Sequence, residues 1–188
     1  IGTYALSAQN AGAEAYNVAI GYDAGGAMST GIDNTLVGAQ VGNNLTTGGR
    51  NVAIGKKALY TNIEGSRSVA VGYEALFTQN PVAPWDMYNV GVGYNAGKAI
   101  TDATRNTLIG ALAGDALTTG SYNVAVGYDA LSTEDGNGRN VAVGYQALLT
   151  QNAGADAYNV AVGFYAGTAV TTGTSNVMVG GLAGDALT

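Results

Sequence analysis

A short apolar phrase closed by glycine returns eleven times in this chain, ending at Gly2, Gly21, Gly38, Gly55, Gly72, Gly93, Gly110, Gly127, Gly144, Gly163 and Gly180. The step is 17 residues, stretched to 19 at the first and ninth intervals and to 21 at the fifth. Self-similarity at so short a period describes a stacked solenoid, in which length measures height rather than the number of domains. The expectation is one continuous all-β array over 1–188, built of rungs of about 17 residues. It is also expected to be a piece of a longer fibre, because GLAGDALT at 181–188 repeats ALAGDALT at 111–118 and then stops. Thirty glycines, about twice the usual ~7%, suit tight corners between short strands. They do not fall at every third position, which excludes collagen.

Counted from the closing glycine, the residue four places earlier is asparagine in nine of ten complete copies, including Asn17, Asn51, Asn106 and Asn140; Ser68 is the exception. The residues three and one before are β-branched, as in Val18 with Ile20, Val52 with Ile54 and Val141 with Val143. Such alternation predicts a strand with its β-branched face in a core. The residue between them is Ala19, Ala53, Ala70, Ala125, Ala142 or Ala161, or a larger apolar Leu36, Leu108 or Met178, so the second face is apolar too. A strand apolar on both faces is buried on both. A 17-residue rung is too thin for one chain to cover both, so the alanine face is expected to pack on another copy of the chain. Three copies are the economical solution for a long fibre.

Three residues after each glycine stands an alanine, with Val41 the single departure. One place further, the series Leu6, Gly25, Gly42, Leu59, Leu76, Gly97, Gly114, Leu131, Leu148, Gly167, Gly184 alternates in pairs, so the full period is four rungs. The long steps fall on that same beat. Their extra residues, within 9–16, 79–88 and 151–158, are expected to bulge from one edge of the stack, where loops on a rigid scaffold usually carry binding.

Composition removes several classes of function. Only 11% of residues are charged and the balance is −6, which leaves no basic stripe for phosphates, so nucleic acid is not an expected partner. No apolar run reaches the ~18 residues of a spanning helix, so no membrane insertion is expected. Cysteine and histidine are absent, which removes disulfides, thiolate chemistry, histidine-ligated zinc and the commonest general base. No catalytic residue, metal or cofactor is expected. The acids Glu134 and Asp135 in the turn EDGNG at 134–138 have the look of a cation corner or of a glycosidase pair. They lack the recurring spacing of calcium-binding repeats and are read as a turn.

The phrases NVAIGYDAG at 17, RNVAIGKKAL at 50, YNVAVGYDAL at 122 and RNVAVGYQAL at 139 resemble the repeats of phage tail fibres and the related head repeats of trimeric autotransporter adhesins. The likeness covers essentially the whole chain, and the 17-residue rung with tyrosine and leucine after the glycine is closer to the phage form. It implies a left-handed β-roll or an interwoven β-prism in which three chains share a core. It also implies exposure on a virion or cell surface and adhesion to a host.

Four sets of residues stand out. The asparagines, together with closing glycines such as Gly21, Gly55, Gly110 and Gly144, are read as structural, forming either a ladder from rung to rung or local corner bonds. One place before the asparagine, Arg67, Tyr88, Arg105, Tyr122, Arg139 and Tyr158 alternate and, in register, would stack guanidinium on ring; the stripe is either structural or a place for saccharides to lie. Tyr22, Tyr73, Tyr94, Tyr128 and Tyr145, directly after their glycines, are expected at subunit contacts. The loop PVAPWDMY at 81–88 is the least repetitive stretch, and its Pro84, Trp85, Asp86 and Met87 form a candidate receptor contact. The expected function is a structural and adhesive homotrimeric fibre segment, most closely a phage tail fibre shaft, whose partners are its own copies and a host-surface glycan or protein. The alternatives are a bacterial surface adhesin or filament, an ice-binding solenoid and a polysaccharide-degrading spike.

Overall fold

Each β-branched, small, β-branched triplet forms one short strand, and the glycine that follows ends it. In the computed structural model, which describes residues 1–12 and 14–188, the ten strands are β1 Val18–Ile20, β2 Thr35–Val37, β3 Val52–Ile54, β4 Val69–Val71, β5 Val90–Val92, β6 Thr107–Ile109, β7 Val124–Val126, β8 Val141–Val143, β9 Val160–Val162 and β10 Val177–Val179. Ala13, in the first bulge segment, lies outside the described residues. The strands form one parallel sheet in sequence order, and equivalent residues face each other throughout: Ala53 opposes Ala70, and Ala125 opposes Ala142. The chain is thus a β-solenoid that climbs one strand per rung. At ~4.8 Å per strand the sheet is about 43 Å tall.

The alternation within the strands has the opposite sense to the one the sequence suggests. The central residues, Ala53, Ala70, Ala125 and Leu108 among them, are buried completely inside the chain's own coil, whereas the flanking valines and isoleucines point outward and are half-buried or exposed. One chain covers the alanine face by itself, because the small residues permit the rest of the rung to fold back closely. Ala58, Ala75, Ala113 and Ala130, three residues after their glycines, close the other side of the same core. The β-branched face is the one that a single chain leaves uncovered.

The four-rung period is a rule of core volume. Where a leucine follows the second alanine, as at Leu59, Leu76, Leu131 and Leu148, the strand centre is alanine and the inward residue three places on is polar: Asn62, Gln79, Glu134 or Gln151. Where glycine takes that place, the later residue is Met28, Leu45, Ile100, Leu117 or Val170. Neighbouring rungs fill the gaps: a Cβ on Gly97 would stand 2.8 Å from Leu76 Cδ2 below and 2.7 Å from Leu108 Cδ1 above. Interiors packed at crystal-like density admit few other combinations.

Two columns hold the rungs in register. Each closing glycine donates its N–H to the last strand residue of the rung before, as Gly110 does to Val92 at 2.8 Å. The glycine has φ near +137°, and a Cβ on Gly110 would lie 2.2 Å from the carbonyl oxygen of Gly127. The asparagines form the second column and are fully buried from Asn34 to Asn159. Asn106 Oδ1 accepts the backbone N–H of Asn123 at 2.8 Å, and its Nδ2 donates to the Gly120 carbonyl at 2.9 Å. The Oδ1 bond recurs from Asn51 to Ser68 and from Asn140 to Asn159, although Asn140 Nδ2 has no partner. Both Asn106 bonds run to the corner that opens the next rung, so the asparagine acts here as a ladder from rung to rung rather than as a local corner bond. Where Ser68 interrupts the column, Gln79 bridges, donating to Ser68 Oγ at 3.0 Å and accepting from Asn89 Nδ2 at 3.0 Å.

Asn106→Ala is expected to lower stability by about 3 kcal/mol, since it strands a buried N–H and a buried carbonyl at roughly 1–3 kcal/mol each. Gly110→Ala should cost at least as much, through left-handed strain and the clash with the next rung. Chemical denaturation of the two variants beside the parent measures both.

Candidate functional site

The residue before each asparagine turns the corner with positive φ: 60° at Arg67, 53° at Tyr88, 60° at Arg105, 64° at Tyr122, 66° at Arg139 and 55° at Tyr158. At four of the six the backbone is tied to the rung below: Arg67 N–H donates to Gly49 O, Arg105 N–H to Met87 O at 2.8 Å, Tyr122 N–H to Thr104 O at 3.1 Å and Arg139 N–H to Ser121 O. Side chains anchored in this way at one position per rung must lie over one another. The structure brings all six residues together, with guanidinium carbons 5.1–5.7 Å from the ring centroids along the whole stripe. Each contact is worth about 0.5–1 kcal/mol when exposed.

The stacking decides what the stripe can do. Tyr88 lies between Arg67 and Arg105, and Tyr122 between Arg105 and Arg139, so each ring meets a guanidinium from the rung on either side while staying 45% and 48% exposed. These contacts tie consecutive rungs together, and the rings keep part of their surface in solvent. The stacking braces one edge of the solenoid.

The bulges meet this brace through an acid two residues before the tyrosine. Asp156 accepts from Arg139 Nε at 2.6 Å, Asp86 from Arg67, and Glu14 from the Tyr16 hydroxyl. The Arg139 guanidinium holds the Asp156 carboxyl below the usual carboxylate range. Arg105 is the exception among the stripe's cations. Among the described residues it meets no carboxylate: its Nη1 donates to Thr104 Oγ1 and Tyr122 Oη, both at 3.3 Å.

The loop at 81–88 leans against that same guanidinium. Ser66 N–H donates to Trp85 O at 3.0 Å, and Met87 N–H returns to Ser66 O at 2.9 Å, so the end of the loop is pinned as a short parallel bridge. The pinning sends Met87 inward, where it is fully buried. It is a core residue and not a receptor contact, because the alternation that exposes Asp86 and Tyr88 turns the residue between them into the coil, as it does Ala157 one super-repeat later. Pro84, Trp85 and Asp86 remain at the surface, and Trp85 is 49% exposed. With Tyr88, Thr104 and Arg105 they line an open cleft of about 470 Å³, within the range of small-molecule sites. Among the described residues no ring or cation lies against the Trp85 indole.

Sequence reasoning named Trp85 and Arg105 separately and did not join them. The signal was present: Arg105 stands one 17-residue step above Tyr88, and no acid precedes the next tyrosine, Tyr122, at the distance kept by Glu14, Asp86 and Asp156. The tyrosines after the glycines are exposed and stack within the chain, Tyr73 on Tyr94 at 5.6 Å and Tyr128 on Tyr145 at 5.4 Å.

The turn at 134–138 is built inward. Glu134 is buried, and its Oε1 accepts from Asn137 N–H at 3.1 Å and Asn137 Nδ2 at 3.2 Å, while Oε2 has no partner. Among the described residues no three acids converge in a way that could hold a metal ion.

No family model, curated protein or solved structure matches this chain.

Two outcomes follow. Tyr122→Ala removes both cation–ring contacts and should cost about 1–2 kcal/mol, read as a lowered denaturation midpoint. Burial pushes the Glu134 carboxyl above its ordinary value, so the native state favours the protonated acid: that stabilisation is full below the unfolded pKa and is lost as pH rises through the folded one. Glu134→Gln should therefore melt higher than the parent at pH 7, with the gap closing below about pH 4.3.

Proposed function

We propose that this chain is a shaft segment of an adhesive fibre of the phage tail-fibre kind, assembled from three copies and displayed on a virion surface for attachment to a host. Its role is structural and adhesive rather than catalytic. One observation carries the reading: the outward β-branched face runs unbroken over all ten rungs, with Val18, Ile20, Ile54 and Ile109 each about 40% exposed or more. Three residues wide and about 43 Å long, it covers on the order of 400 Å², the size at which contiguous apolar surface on a soluble protein is often functional.

The shape of the face supports three-fold closure. A narrow stripe along the length of a rod cannot offer two broad faces to two partners, but placed on a common axis it meets both at once. The resemblance of the Asn-Val-Ala-Val-Gly phrases to tail-fibre repeats agrees with that arrangement. The cation–ring contacts of the Arg/Tyr stripe suit a shaft that must stay rigid, and the Trp85 cleft is the part of the surface suited to touching a host glycan.

Mass measurement in solution tests the assembly. The expected particle has three times the 18.8 kDa chain mass, and Val71→Lys with Val126→Lys on the outer face should yield a folded single chain. A parent that stays monomeric at high concentration would overturn the fibre reading.

A further inference from the structure

We infer that the cleft between Trp85 and Arg105 binds a sugar ring that carries a carboxylate. This deepens the adhesive reading above and rests on it for its biological setting, although the chemistry is local. Two features set the cleft apart. Trp85 is 49% exposed and, among the described residues, has no ring or cation against its indole, while the stripe rings Tyr88 and Tyr122 each already stack with two guanidinium groups. Arg105, the second wall, is among the described residues the one cation of the stripe without an acid: Arg67 and Arg139 pair with Asp86 and Asp156, one beside each of two bulges.

The geometry leaves a defined set of donors. Arg105 lies between the Tyr88 and Tyr122 rings at 5.7 and 5.4 Å, contacts that restrict the guanidinium, and the residue is exposed at the cleft. Nη1 is engaged by Thr104 and Tyr122, and among the described residues Nε and Nη2 donate to nothing. Two parallel N–H groups on a rigid fork match the two oxygens of a carboxylate. The apolar face of a pyranose lies well on an open indole, and Asp86, which accepts from Arg67, is placed at the rim to accept a hydroxyl. A neutral sugar would use the indole and leave the cation unpaired. A bare anion would use the cation and leave the indole idle. An acidic sugar uses both.

The corresponding bulge one super-repeat later lacks the combination. There Ala155 replaces the tryptophan and Ser175 stands where Arg105 would be. The site thus occurs once per chain in this stretch, and assembly in threes would raise its avidity by linking equal sites on one rigid body.

Trp85 is the chain's only tryptophan, so its fluorescence reports on the site directly. Titration of the parent with oligogalacturonate and, separately, with a sialyl oligosaccharide should give a saturable change with at least one. The responding source identifies whether the carboxylate sits on a uronic or a sialic acid. A neutral galactan oligomer of the same length should bind at least tenfold more weakly. Arg105→Gln should abolish the preference for the acidic ligand, and Arg105→Lys, which keeps the charge but loses the fork, should reduce it severalfold; both are measured below their own melting temperatures. No response to either acidic sugar overturns the proposal, as does equal affinity for the neutral oligomer or an unchanged preference in both variants. The particle mass is read on the same samples. A three-chain particle that ignores acidic sugars defeats this inference alone, whereas a monomer defeats the fibre reading whatever the fluorescence shows.

Discussion

The architecture depends on how closely one rung can approach the next. At the closing glycines, backbone meets backbone with no room for a side chain: Gly55 faces the carbonyl of Gly72, and Gly110 that of Gly127, at distances a Cβ could not tolerate. That contact sets the rung spacing, and the spacing sets everything that stacks upon it. The asparagine column, the parallel ladder, the Leu/Gly alternation and the guanidinium–ring brace are all consequences of equivalent residues lying directly above one another. Periodicity in the sequence becomes adjacency in space.

Much of this was legible in the residues, because a repeat reports each structural demand ten times over. The strand triplets, the glycine corners, the small alanine column and the four-rung beat were read correctly from pattern alone. The sense of the strand was not. Valine and isoleucine are the commoner core residues, so the β-branched face looked like the inside; the decisive fact was the rung's narrowness, which admits alanine or glycine, or a leucine or methionine opposite a gap. Met87 misled for a related reason. In a loop of two prolines and a tryptophan it reads as a surface residue, yet backbone bonds to Ser66 impose strand-like alternation and drive it inward.

The corners were the least legible part. Among the described residues 26 non-glycine residues adopt positive φ, tyrosine, arginine, lysine, leucine and acidic residues most of them, a conformation in which such side chains are uncommon. No local signal marks them. They are held by inter-rung bonds, as Lys57 N–H is to Ala39 O and Leu59 N–H to Ala75 O, one pointing down the stack and the other up. The Trp85 cleft arises where this regularity is locally relaxed: a 21-residue step supplies the indole, and a rung without an acidic bulge leaves Arg105 unneutralised.

Those left-handed corners bear on how such a molecule comes into being. An isolated turn of this coil would hold several side chains in a disfavoured backbone region with nothing to compensate, so it has no stable shape by itself. Each new turn becomes affordable only when laid on a finished one, whose free carbonyls and amides act as a template. Growth should therefore resemble crystallisation onto an existing layer: a difficult first nucleus, followed by rapid propagation along the axis.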